Sequence, residues 1–144
     1  MIKNERQYRI TKAQAEKFRR AIQECKTSQQ PGGHPVLRKA QVAALKSQCA
    51  DLQRELTEYE RLKSGKQKVV ALGSFEELPR TLIQARIAGG LSQEELAVKL
   101  HLKPQQVQRY EATEYQSASL ARVTEVARVL GVKLRHPAEV RLAS

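Results

Sequence analysis

Leu91-Ser92-Gln93-Glu94-Glu95-Leu96-Ala97-Val98-Lys99-Leu100-His101-Leu102-Lys103-Pro104-Gln105-Gln106-Val107-Gln108-Arg109-Tyr110-Glu111 is the stretch on which the fold turns. Ser92 followed three residues later by Glu95 is a capping box, and it predicts a helix over Gln93–Leu100. Leu100-His101-Leu102-Lys103 lead directly to Pro104, whose ring suits the first helical position, so a second short helix is predicted over Pro104–Ala112. Ala97 is expected at the crossing of the two, where a small side chain permits close approach. Leu96, Leu100, Val107 and Leu120 are expected to fill the core around it. Upstream, Leu78, Leu82, Ile83 and Ile87 mark the apolar side of a helix that ends at Gly89-Gly90. Pro79 must lie near its start, and Ser74 with Glu77 reads as its capping box. Downstream, a polar loop over Thr113–Ala118 leads to a helix over Ser119–Leu130, stopped by Gly131.

The N-terminal half has a different rhythm. Thr11 with Gln14 reads as the start of a helix that ends by about Ser28, with Ala15, Phe18, Ile22 and Cys25 as its apolar stripe. After Gln30-Pro31-Gly32-Gly33-His34, a long helix is predicted over Pro35–Lys63. Its seam, Val42, Leu45, Cys49, Leu52, Leu56 and Tyr59, alternates steps of three and four like the core of a coiled coil. The first helix is too short to cover that seam, so an antiparallel hairpin that dimerises through the long helix is expected, with packing of that helix onto the C-terminal half as the alternative. Lys68-Val69-Val70-Ala71-Leu72 reads as a short strand or an extended linker, with Met1–Ile10 a candidate partner for it. The domain expectation is therefore all-α: residues 1–66 a helical hairpin and dimerisation extension, 67–73 a linker or short strand, and 74–144 a second helical domain.

Composition narrows the function. Among 144 residues, 26 Lys and Arg outweigh 15 Asp and Glu, leaving +11 at pH 7 and favouring an anionic partner, nucleic acid ahead of a membrane surface. Aromatics are 4% of the chain, which argues against an aromatic pocket or a stacking platform for single strands. No apolar run approaches the ~20 residues of a membrane span, and the start lacks a signal-peptide core, so a soluble cytoplasmic protein is expected. His34, His101 and His136 fall in separate elements and read as surface residues. Cys25 and Cys49 occupy stripe positions where small buried thiols are the default, with the possibility that they face each other across the hairpin. No metal site, no cofactor site and no nucleophile–base pair is recognisable, so no enzyme is expected. The charge is uneven: sixteen basic and seven acidic residues precede Ser74, while ten and eight follow it. The basic half reads either as a solvated face, or as a source of non-specific phosphate contacts, through its helices or a flexible N-terminal arm.

Ala85-Arg86-Ile87-Ala88-Gly89-Gly90-Leu91-Ser92-Gln93-Glu94-Glu95-Leu96-Ala97, then Val107-Gln108-Arg109-Tyr110-Glu111, then Ala127-Arg128-Val129-Leu130-Gly131-Val132, resembles the XRE (Cro/cI phage-repressor) helix-turn-helix family. The resemblance implies a lambda-repressor-like DNA-binding domain whose third helix enters the major groove of double-stranded DNA. It points to Gln105, Gln106 and Arg109 as base readers, with Gln108 beside them. Gln93 would anchor the phosphate backbone at the N-terminus of its helix. It also implies a structural ion pair between Arg86 and Glu111. Two positions depart from the family: His101 stands where the turn usually has Gly, and must take the left-handed conformation or reshape the turn. Lys103 stands where a Ser or Thr usually caps the third helix; a lysine cannot accept that bond but can reach a phosphate. The implied function is a dimeric, nucleoid-associated bacterial or phage transcriptional regulator, a repressor in preference to an activator. The competing expectation is an antitoxin similar to HigA-type proteins, whose extension would bind a toxin protein while the motif represses the operon. The +9 surplus of that extension argues against it.

Overall fold

A computed structural model of the chain describes residues 1–27 and 35–135; these contain six α-helices and one 3-10 turn, with no strand among the described residues. Two compact units divide the chain, the first Met1–Lys66, the second beginning at Gln67.

The first unit is an antiparallel hairpin of α1 (Glu5–Thr27) and α2 (Pro35–Lys63). Helix α1 starts six residues before the expected Thr11, because Asn4 is the better cap: its Oδ1 accepts the N–H of Gln7 at 2.9 Å, and Gln7 Oε1 in turn accepts the N–H of Lys3 at 2.8 Å. Met1–Ile10 therefore pairs with no strand, and residues 66–73 are irregular linker. Nor is the N-terminus a free arm. The Met1 ammonium donates to Glu55 at 2.8 Å and Ile2 is 2% exposed.

With 23 residues, α1 runs about 34 Å beside α2 and covers more of the seam than a shorter helix would. Leu56 and Tyr59 are buried there together with Ala15 and Leu62, whereas Val42, Leu45, Cys49 and Leu52 are half-buried. The Tyr8 and Tyr59 rings stack at 5.2 Å; their hydroxyls donate to Glu60 at 2.6 Å and to Glu5 at 3.2 Å, respectively. The Glu60 bond holds the Tyr8 hydroxyl above its usual range, and the Lys63 ammonium beside Glu5 holds that carboxyl below its own. The two cysteines do not face each other. The Cys49 thiol meets the Ala15 carbonyl at 3.9 Å, while Cys25, ten residues or about 15 Å farther along α1, lines a shallow groove with Val42 and Ala43.

The second unit packs α3 (Leu78–Ala88), α4 (Gln93–Lys99), α5 (Pro104–Ala112) and α6 (Leu120–Val129) around Leu82, Ile83, Ile87, Leu96, Ala97, Leu100, Val107 and Val126. Leu120 does not join them. It is 67% exposed, because the cap bond from the N–H of Arg122 to Ser119 Oγ starts α6 one residue earlier and turns Leu120 outward. Tyr115, from the supposedly polar loop, is buried instead. The Ser92–Glu95 capping box is complete, with the Glu95 N–H on Ser92 Oγ at 3.1 Å and the Ser92 N–H on Glu95 Oε2 at 2.7 Å. Ser74 and Glu77 make no such box: residues 75–77 form the 3-10 turn, and Glu77 reaches past Ser74 to the N–H of Gly73 at 2.7 Å.

Three helices of this unit end in the same way. The residue after a left-handed position donates to the carbonyl five residues back: Leu91 to Arg86, Leu102 to Ala97 and Val132 to Ala127. The left-handed residue is Gly90 (φ 71°), His101 (φ 53°) and Gly131 (φ 67°), respectively. His101 thus follows the path a glycine would take. That path costs an L-residue about 1–2 kcal/mol, so His101→Gly is expected to keep or raise stability, by up to about 1 kcal/mol once the freer unfolded chain is allowed for. His101→Val, β-branched at φ 53°, is expected to lower stability by about 1–2 kcal/mol. Urea melts of the two variants check this; equal midpoints would show that the turn carries no strain.

Candidate nucleic-acid interface

The candidate surface is the outer side of α5, and its position is set from the inside. Pro104, Val107 and Glu111 recur at steps of three and four, and put one face of the helix inward; Val107 is 1% exposed and Glu111 has no exposure. Glu111 is held by a fork. Arg86 Nε donates to its Oε1 at 2.5 Å and Arg86 Nη2 to its Oε2 at 2.8 Å, while Nη1 donates to the Leu91 carbonyl at 2.7 Å. One guanidinium thereby joins the end of α3, the turn after it and the end of α5.

Gln93 completes this network. Its side chain is turned inward, 7% exposed, and its Nε2 donates to Glu111 Oε2 at 2.8 Å. The sequence reading assigned that amide to a phosphate. In the structure it is the second polar partner of a buried carboxylate, and the first-turn N–H groups of α4 are what that helix end keeps for an anion. No sequence signal marks this, because Gln93 and Glu111 lie eighteen residues apart and meet only through the crossing of α4 and α5.

The opposite side of α5 presents Gln105, Gln106, Gln108 and Arg109, all exposed, with exposed Lys103 at its entry. Gln105, Gln108 and Arg109 make no side-chain hydrogen bond or ion pair among the described residues. Gln106 does: its Oε1 accepts the N–H of Lys103 at 3.1 Å. That is half a capping box. Lys103 has no acceptor for the other half, so Gln106 secures the helix start from one side only.

Behind the helix lies Tyr115. Glu114 (φ 48°) and Tyr115 (φ 59°) both take left-handed backbone, and the Tyr115 N–H closes on the Tyr110 carbonyl at 2.6 Å. This folds the Tyr115 ring back against that of Tyr110, centroids 6.1 Å apart. Its hydroxyl is buried without a hydrogen-bond partner among the described residues. Burial, reinforced by the nearby Glu111 carboxylate, pushes the phenol well above its usual range. The described residues hold no cluster of metal-ligating side chains, and none of their helices is long and apolar enough to cross a membrane. His101 is exposed, and His34 and His136 lie outside the described residues.

Residues 82–136 match the family model described as helix-turn-helix, rather more than a third of the chain. That stretch is an XRE-type helix-turn-helix domain, and through it the chain is a DNA-binding transcription regulator. Comparison with curated proteins and with solved structures gives no match.

Removing one partner of a buried ion pair costs about 3–5 kcal/mol. Glu111→Ala is therefore expected to lose DNA binding through unfolding, and Gln105→Ala to lose it with an unchanged melting temperature; thermal melts beside binding assays separate the two. Tyr115→Phe removes an unpaired buried hydroxyl and is expected to raise stability by about 1 kcal/mol at neutral pH. The folded-state pKa of Tyr115 lies above its ordinary 10.0, so the phenol's contribution is complete below that pH and is lost as pH rises past it. Denaturant titrations at rising alkaline pH are expected to show a steeper loss for the parent chain than for Tyr115→Phe.

Proposed function

We propose that the chain is a sequence-specific repressor that binds duplex DNA as a dimer, with α5 in the major groove. The observation that carries this reading is the set of uncommitted amide and guanidinium groups of Gln105, Gln108 and Arg109, exposed on a helix whose other face is fixed by Val107 and Glu111. Gln pairs bidentately with adenine and Arg with guanine at the major-groove edge. Gln106 gives its oxygen to the cap and keeps its amide N–H groups for a base or phosphate. Lys103 reaches the backbone at the helix entry, and at Gln93 the backbone N–H, with its neighbours in the first turn, takes the phosphate in place of the side chain. Arg86 and Glu111 act through the fold.

The dimer is supported by the apolar surface the hairpin leaves uncovered. Val42, Leu45, Cys49 and Leu52 of the seam are only half-buried, and Val36 and Leu37 beside them are 67% and 71% exposed. A two-fold dimer would set its recognition helices one duplex turn apart, about 34 Å, on a pseudo-palindromic site. In this reading residues 1–66 serve assembly and 74–144 serve recognition, joined by the linker 67–73. A toxin-binding role for the hairpin has no comparable support.

Selection of duplexes from a random pool with the full chain tests the reading. The expected result is a pseudo-palindrome with half-sites one turn apart. Gln105→Ala and Arg109→Ala should each relax the preference at one position, by about 1–3 kcal/mol, with melting unchanged. Retention of the full preference by both variants would refute the assignment of α5 as the reading helix.

A further inference from the structure

The basic surplus of the first unit is organised on α1. Arg6, Arg9, Lys17 and Arg20 recur, with Ala13 between them, at steps of three and four along one line of the helix, and all four are exposed. The buried Ala15 and the half-buried Tyr8, Thr11, Phe18 and Ile22 take the opposite side, against α2. The acidic groups that would neutralise the line are engaged elsewhere. Glu5 is held by Lys63 and by the Tyr59 hydroxyl across the hairpin. Glu16 is shared by Arg19 at 3.5 Å and Arg20 at 3.8 Å. Arg6, Arg9 and Lys17 form no ion pair among the described residues, and Lys12 flanks them with its ammonium 5.6 Å from the Tyr8 ring centre.

We infer that this face of α1 is a second, sequence-independent nucleic-acid contact, which tracks the phosphate backbone of duplex DNA. From Arg6 to Arg20 the line spans about 21 Å, over which a duplex presents a negative charge every ~1.7 Å of axis. The face suits a duplex better than other polyanions. Ile10 is the exposed large apolar side chain of α1, too little to enter an acyl layer. Tyr8 is stacked on Tyr59 and Phe18 is half-buried, so no aromatic platform stands ready for unpaired bases. The inference goes beyond base reading by α5 and rests only on the chain's being a DNA-binding protein; linkage to the helix-turn-helix domain raises the local concentration of duplex at α1.

The test is the salt dependence of binding to a duplex of scrambled sequence, measured with the full chain. The triple variant Arg6→Gln, Arg9→Gln, Lys17→Gln keeps good helix formers at exposed sites. It is expected to reduce the slope of log affinity against log salt by about 2 to 3, near 0.9 for each phosphate released. A control triple variant on α2, Lys39→Gln, Lys46→Gln, Arg61→Gln, removes the same charge from exposed positions and is expected to change the slope by less than half as much. Equal reductions would overturn the inference, since net charge alone would then account for the effect. So would an unchanged slope in the α1 variant, or a loss confined to phosphatidylserine vesicles or to single strands. Repeating the pair in a Gln105→Ala, Arg109→Ala background keeps the two readings apart, because sequence preference then reports α5 and the salt slope reports α1.

Discussion

A carboxylate with no access to solvent governs the helix-turn-helix half of this protein. Glu111 stands in the last turn of α5, where the helix dipole disfavours negative charge, and it has left water entirely. Both penalties must be met by its partners. The Arg86 fork supplies two parallel charge-assisted bonds and Gln93 a third from the side. An apolar trio of the same volume would cost nothing in desolvation and could be as stable. What it would lack is direction. Bidentate geometry fixes the rotation of α5 about its own axis as well as its distance from α3, and that rotation decides which side chains face outward.

The consequence is a division of labour within nine residues. Inward positions of α5 are constrained by Val107 and Glu111, and the exposed positions are left to chemistry. Between them Gln106 is partly spent on the helix start, since Lys103 offers no side-chain acceptor at the cap. Tyr115 plays a related part from behind. Its stacking on Tyr110 closes the far end of the helix, and its buried hydroxyl is the polar cost of putting a tyrosine there.

How much of this was legible depended on the range of the interactions. The capping box at Ser92, proline at the start of α5, the glycine stops and the left-handed turn at His101 are local, and each was readable within a few residues. The α1 start was also local but was missed, because Tyr8 and Ile10 suggested strand alternation while Asn4 was overlooked as a cap. Leu120 misled in another way: an apolar residue directly after a capping serine was assigned to the core on composition, although position decides which way it points. The inward turn of Gln93, the burial of Tyr115 and the docking of Met1 on Glu55 rest on contacts between residues far apart in the chain. Periodicity carries no information about such pairs.

Phosphate contacts supply most of the affinity of a DNA-binding protein, and base contacts supply its discrimination. In this chain the two resources lie in different units. After Ser74 the basic residues exceed the acidic by only two, and the Arg86–Glu111 pair cancels internally. A nearly neutral domain releases few counterions, so base reading by α5 alone would begin from weak non-specific attraction. Before Ser74 the surplus is nine, and on α1 it is aligned, exposed and left uncompensated because the nearby acids hold the hairpin together. Placing charge on the unit without the reading helix separates the strength of binding from its selectivity. Substitutions on α5 can then alter the preferred sequence without abolishing attraction to DNA, and substitutions on α1 can tune attraction without altering the preferred sequence.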